Sequence, residues 1–521
     1  MRSCSRIPVL ALSAALALGV TATVTGEPSA GAAAGPRSIA WRACTEAPQE
    51  YPAVQCGTLS VPVDWARPGG PRFDLDLVRR PATDPAARIG SLLASPGGPA
   101  PARDFVIRAA AATSEEIQRR FDIVAVDPRG TGPSAPVLCS TDLVRQQPSY
   151  LLTSQADFDR LVAFNRRLRQ DCRAHTGPLY DHLDMLSTVR DMDAVRAALG
   201  DPRLTWLGLS YGTLNAQQYA EQFPDRIRAI LADSVLDHSI RTAAEWLDKQ
   251  AATAQDSFDY FVGWNARTPS SALYGRDVRA LWADLRARAA RGELPNWVNP
   301  SNALRPQDLI DFAFATFHRP DSALLAQVLA DLDAGRPPNV PAPPPRPQPA
   351  DLVSYPRDAI VCSDLSLPVR TYAEYARHLR RIAGIAPDMR YSPTGLQVVT
   401  GCIGLPTPIP NPQHRLRVRG AATPLLLMNS RHDPATGYNL ATNVARQLGR
   451  DGVLLTYDGA GHGVFEHSAC TRGAMDRYLI ELKLPAPGTH CPDAGPPDTG
   501  APAAAGQPAS GDPYQPASRT R

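Results

Sequence analysis

Short apolar runs recur along the first half of the chain, at 90–94, 123–126, 204–207 and 229–232, and each stops abruptly at Ser, Asp or Gly. Runs that are apolar on both alternating faces are what strands buried on both sides of a sheet require. The stretches between them carry helical spacing instead: Met192, Val195, Ala198 and Leu199 fall three and four residues apart. Strand alternating with helix predicts a mostly parallel sheet with helices on both faces, an α/β fold. Ahead of it, 57–63 and 73–78 flank the turn Pro68-Gly69-Gly70-Pro71 and predict an antiparallel hairpin. From about 237 to 418 the pattern becomes mainly helical, most clearly at 243–261 and 277–291, and the proline-dense 336–349 interrupts it. This region is expected to be a helical lid inserted into the sheet domain, with the proline run as an extended surface connection. Sheet-type runs resume at 424–428 and 453–457. The expected division is therefore a first core segment at 35–237, the lid at 238–418 and a second core segment at 419–491.

The two ends read differently. Arg2 and Arg6 precede an apolar stretch from Ile7 to about Val24 and then small residues including Ala30-Gly31-Ala32, the pattern of a secretory signal peptide over 1–34. Pro8, Ser13, Thr21 and Thr23 interrupt a span of barely sufficient length for a membrane anchor. The expectation is an exported protein with no membrane attachment after cleavage. The final stretch, 492–521, is rich in Pro, Ala, Gly and Ser, and is expected to be disordered. Eight cysteines remain beyond Cys4: Cys44, Cys56, Cys139, Cys172, Cys362, Cys402, Cys470 and Cys491. An even set in an exported chain points to disulfides, and their four local couples predict that neighbours pair. No Cys-x-x-Cys or matching histidine spacing suggests zinc.

At 521 residues and 43% hydrophobic content the chain can build a large core with an insertion. The net charge of +3 comes from acids and bases scattered along the chain, with no basic run to track phosphates, so nucleic-acid binding has no support. Only Lys249 and Lys483 are lysines, and the arginine excess carries no ligand signal.

The chemistry centres on Gly208-Leu209-Ser210-Tyr211-Gly212, which follows the run at 204–207 and precedes a helical stretch. Gly-x-Ser-x-Gly between strand and helix projects a serine hydroxyl from a strained turn, so Ser210 is the candidate nucleophile. Such a hydroxyl needs a general base within reach and a third group to orient that base. Two late strand-to-loop segments offer them: 424–434 ends in His432-Asp433-Pro434, and 453–463 ends in Gly461-His462-Gly463. Asp433 is the candidate acid and His462 the candidate base, in the chain order Ser, Asp, His of an α/β-hydrolase. Asp233 is the rival acid, and His432 and His467 are the rival histidines. Backbone donors for an oxyanion are expected at Tyr211, directly after the nucleophile, and in Ser95-Pro96-Gly97-Gly98-Pro99, with Gly98 preferred to Gly97. No metal or organic cofactor is expected.

Several separated segments together resemble the secreted bacterial tripeptidyl aminopeptidases, relatives of the proline iminopeptidases among α/β-hydrolases. They run in order from Cys56 to Trp65, Pro96 to Pro99, Val126 to Ser134, Asp191 to Arg196, the serine turn, Ala359 to Asp364, Asp433 to Tyr438 and Gly459 to Gly463. The resemblance implies a serine exopeptidase acting near a free N-terminus, with the lid walling the cleft and lid carboxylates receiving the substrate ammonium. Glu245, Asp248, Asp256 and Glu293 are the candidates for that contact. Where the family's early loop continues with glycines, this chain has Pro99-Ala100-Pro101-Ala102-Arg103, which predicts a stiffer loop, Arg103 near the cleft mouth and an altered substrate range. A carboxylesterase or amidase with the same triad is the alternative, and a non-catalytic binding protein on this fold a further one. The expected partner is a peptide or small-molecule substrate.

Overall fold

A computed structural model describes residues 39–44, 53–107, 113–297, 302–340 and 350–495. The expected signal peptide, most of the proline run and the tail beyond 495 lie outside the described residues. The strands, in chain order, are β1 (Arg42–Ala43), β2 (Gln55–Pro62), β3 (Arg72–Arg80), β4 (Gly90–Ser95), β5 (Phe121–Val126), β6 (Leu138–Ser140), β7 (Leu204–Leu209), β8 (Ile227–Asp233), β9 (Leu352–Ser354), β10 (Leu425–His432), β11 (Gly452–Ala460) and β12 (His490–Cys491). Ten of them form one sheet in the order β1-β2-β3-β5-β4-β7-β8-β10-β11-β12, while β6 and β9 make a separate antiparallel ribbon. β2 and β3 form the expected antiparallel hairpin, and β3 joins β5 antiparallel. From β5 onward every pairing is parallel. All six residues of β4 and of β5 are buried, as the unbroken apolar runs require.

β8 and β10 are neighbours in the sheet although the whole helical region separates them in sequence. The residues between them therefore form an insertion, built from helices that include Ala243–Arg267, Val278–Ala290, Pro306–His318, Ser322–Asp333, Arg357–Asp364, Tyr372–Ile385 and Pro393–Cys402. Packing of insertion and sheet makes the described residues one compact unit. No helix among the described residues is long and apolar enough to cross a membrane.

Three of the separated sequence motifs meet in one buried knot. The Arg129 guanidinium, 0% exposed, makes a fork of two 2.7 Å hydrogen bonds to the Asp191 carboxylate. It also donates to the backbone oxygens of Val63 and His182, and the Trp65 indole donates to Asp191 at 2.9 Å. A buried charge pair of this kind survives because every donor finds an acceptor. Its consequence is positional: the end of β2, the loop after β5 and the helix Met185–Ala198 are locked together.

All four expected disulfides are closed: Cys44–Cys56, Cys139–Cys172, Cys362–Cys402 and Cys470–Cys491. Residues 492–495 have no regular secondary structure but are held against the domain: Asp493 accepts a 2.8 Å hydrogen bond from Tyr260 and the Ala494 amide donates to the Tyr457 hydroxyl. Arg103 pairs with Asp76 of β3, and its amide and that of Ala102 donate to Asp127. The stiffened loop is thus tied back to the sheet at its end.

Candidate active site

Ser210 occupies the turn between β7 and the helix Gly212–Gln222 with φ of 57°. That left-handed conformation is unfavourable for a residue with a side chain, and it persists where surrounding bonds impose it. Here the Ser210 amide donates to the Asp233 oxygen at 2.9 Å, while the Ser210 oxygen accepts from the Thr213 amide and hydroxyl. Gly208 permits the crossing that follows, since a Cβ there would lie 2.3 Å from the Gly212 oxygen.

The loop after β4 packs directly on this turn. A Cβ on Gly97 would stand 2.4 Å from the Leu209 oxygen, 2.8 Å from Ser210 Cβ and 2.9 Å from the Tyr211 nitrogen. The Gly97 amide donates to Ser95 Oγ at 3.3 Å. The Gly98 and Tyr211 amides have no protein acceptor among the described residues. Of the two glycines, Gly97 thus provides the close approach and Gly98 keeps the free donor.

β10 and β11 carry the other two predicted groups to the same end of the sheet. His462 Nδ1 lies 3.0 Å from both oxygens of Asp433, whose side chain is 0% exposed against 13% for the histidine. Asp433 Oδ1 also accepts the amides of Ala435 and Thr436, each at 2.8 Å, and Oδ2 accepts the Thr436 hydroxyl at 3.1 Å. Burial opposes ionisation of Asp433, but the charge and hydrogen bond of His462 outweigh it and hold the carboxyl below its ordinary value. Burial likewise opposes charge on His462, and the attraction of Asp433 outweighs it, so the imidazole lies above 6.5.

Asp233, the rival acid, has a different task. Its Oδ2 accepts the amides of Val464 and Phe465, each at 2.7 Å, and burial pushes its carboxyl up to about 7. Together with Ser234 Oγ, which accepts the Gly463 amide at 2.7 Å, it fastens the loop that carries His462. The rival histidines are also accounted for. His467 stacks edge-on to Tyr457 with its pKa lowered by burial to about 4, and His432 Nδ1 meets Asp256 at 2.8 Å.

The insertion grips both loops. Gln250 donates to the Ala435 oxygen at 3.0 Å, and Gly437, lacking a side chain, leaves space that Thr253 occupies. The His318 oxygen accepts the His462 amide at 2.9 Å, and the two imidazole rings meet edge-on at 5.5 Å. Sequence reasoning missed Gln250, Thr253 and His318, for they lie in helices whose spacing reports only burial. Thr436 carried a signal, as it falls within the Asp433-to-Tyr438 segment. Of the four carboxylates expected to meet a substrate ammonium, Asp248 pairs with Arg381 and Glu293 with Arg291. Glu245 lies in the first turn of the helix Ala243–Arg267. Asp256 alone among them meets the segment that carries Asp433.

The geometry brings a strained serine, an acid-paired histidine and free backbone donors to one end of a parallel sheet. Residues 389–491 match the family model described as TAP-like protein. The serine protease Hip1 of Mycobacterium tuberculosis is 31% identical over 481 residues, covering 84% of this chain and 87% of the relative. Carboxylesterase B of the same species is 33% identical over 515 residues, covering 91% and 95%. The tripeptidyl aminopeptidase of Streptomyces lividans is 27% identical over 506 residues, covering 90% of each. The chain belongs to this TAP-like family of α/β-hydrolases and is a serine hydrolase.

Proposed function

We propose that the protein is an exported serine exopeptidase that cleaves peptide bonds near a free N-terminus through an acyl-enzyme. Ser210 attacks the scissile carbonyl, His462 takes its proton and returns it to the leaving amine, and Asp433 holds the imidazole in the correct tautomer. The Gly98 and Tyr211 amides bind the oxyanion. The observation that carries this reading is the pairing of His462 with both Asp433 oxygens, in a loop whose Gly463 packs on Leu209, the residue before a serine held at positive φ. Asp256, 48% exposed on the insertion and next to the acid loop, is the best placed of the candidate carboxylates to receive a substrate ammonium. Export is supported by the four closed disulfides, which persist in oxidising compartments.

A second reading, an esterase using the same three groups, is favoured by the similarity to carboxylesterase B. Chromogenic anilides of one to four residues, each with a free or an acetylated N-terminus, separate the two. The exopeptidase reading expects turnover that requires the free amine and peaks at one length. Preference for blocked peptides or for simple esters would overturn it. Ser210→Ala should lower turnover on the order of a millionfold on any of these substrates.

A further inference from the structure

The motif from Ala359 to Asp364 lies in the insertion, and the triad does not account for it. Asp364 ends the helix Arg357–Asp364 and is 0% exposed. One carboxylate oxygen accepts the Met185 amide at 2.8 Å and the Asn411 side-chain amide at 2.7 Å. The other accepts the Tyr211 hydroxyl at 2.5 Å. Its backbone oxygen lies 2.7 Å from His238 Nε2, and the neighbouring Gln218 contacts both His238 and Asn411. A buried carboxyl carries a large desolvation cost, and this one is met by three donors from three separate segments. Burial also raises the carboxyl to about 7.

Tyr211 follows Ser210 directly, so its amide belongs to the peptide plane at the turn, and its ring reaches away to Asp364. That ring is buried in the apolar core, beside a small cavity lined by Gly97, Pro99, Met185, Gly212, Asn215 and Ile360. Its hydroxyl end is held by the hydrogen bond to Asp364, and its backbone end by the strained turn. The helix that supplies Asp364 is tied to the helix Pro393–Cys402 by the Cys362–Cys402 disulfide, so the anchor point is itself fixed.

We infer that Asp364 is a positioning residue for the oxyanion site: through the Tyr211 hydroxyl it sets the orientation of the Tyr211 amide, and so makes the insertion part of the catalytic frame. The inference rests on the proposal that the Tyr211 amide is an oxyanion donor. Such donors act only when aimed at the position the oxyanion will occupy, roughly 2.7–3.1 Å away. A carboxyl that fixes the tyrosine ring removes the torsional freedom by which that amide would swing away. It touches neither substrate nor the reacting atoms.

Replacing the carbonyl oxygen of a substrate by sulfur tests this, because an oxyanion site tuned to oxygen penalises the larger, more weakly hydrogen-bonding sulfur. The measurement is kcat/KM for an ester and its thionoester in the wild type, Asp364→Asn and Tyr211→Phe, with kcat and KM separated and thermal melting followed for each. The expected result is a strong wild-type preference for oxygen, falling about tenfold or more in both variants, with kcat reduced and KM within about threefold. Asp364→Asn retains the volume, but the Met185 and Asn411 donors draw its carbonyl oxygen to their side, so the carboxylate acceptor of the Tyr211 hydroxyl is lost; if it fails to fold, Tyr211→Phe alone carries the comparison. Equal loss on both substrates, leaving the wild-type ratio intact, would overturn the positioning role while sparing the oxyanion site. A wild type indifferent to sulfur would remove the oxyanion reading itself, and this inference with it.

Discussion

Two buried aspartates lie close to His462, and replacing each by asparagine should have opposite outcomes. In Asp433→Asn the two backbone amides of Ala435 and Thr436 both point at the Oδ1 position, at 2.8 Å each. They draw the new carbonyl oxygen to that position and leave the NH2 group where Oδ2 stood, 3.0 Å from His462 Nδ1. One of the two atoms facing Nδ1 is then a donor and the negative charge is gone, which favours the tautomer protonated on Nε2, unable to accept the serine proton. The expected loss in kcat is on the order of 10⁴-fold, about 5.4 kcal/mol of transition-state stabilisation. In Asp233→Asn the carbonyl oxygen still accepts from Val464 and Phe465, and the NH2 group faces Ser234 Oγ, 3.4 Å from Oδ1 in the native chain. Its kcat should stay within about tenfold of wild type, or about 1.4 kcal/mol. The assay is steady-state hydrolysis of one anilide at matched active-site concentration, with circular dichroism to verify folding. A folded Asp433→Asn enzyme within tenfold of wild type, beside an inactive Asp233→Asn, would exchange the two assignments. Stability adds an independent reading. Asp233 is raised from 3.8 to about 7 in the folded chain, so the stability it contributes is complete below about pH 4 and is lost as pH rises through 7. An asparagine at this position cannot ionise, and urea titrations should therefore show the Asp233→Asn variant gaining on wild type between pH 4 and 8.

Three further outcomes are expected. Gly97→Ala forces a Cβ to within 2.4 Å of the Leu209 oxygen at φ of 84°, and should cost a hundredfold or more in kcat/KM, roughly the effect of losing an oxyanion donor; wild-type kinetics would refute the close packing. Removing the Cys362–Cys402 link, whose partners are 40 residues apart, should lower the urea-derived unfolding free energy by about 4 kcal/mol in the chain-entropy estimate, and an unchanged midpoint would count against it. Because His462 is raised above 6.5 by Asp433 and must be neutral to accept a proton, the acidic limb of kcat/KM should lie above pH 6.5; a limb near 5 would contradict the pairing.

What the chain reveals by itself is local. A serine between glycines after an apolar run signals a strand–turn–helix through local residues alone, and Ser210 takes the positive φ such a turn needs, held there by the Asp233 oxygen of β8. Apolar runs disclosed the strands, and the cysteine couples disclosed the disulfides, since both signals lie within short stretches. Order along the chain was enough to select Asp433 over Asp233, but not to show what Asp233 does. That required tertiary structure: Asp233 reaches a loop 231 positions away, and Tyr211 meets a carboxylate 153 positions on. The same is true of Arg129, whose acceptors come from both sides of it in sequence, and of His318, whose carbonyl holds the His462 amide. Periodicity marks such residues only as buried. Which buried donor meets which acceptor is decided when the insertion closes against the sheet, since desolvated polar groups must then find partners wherever the packed chain supplies them.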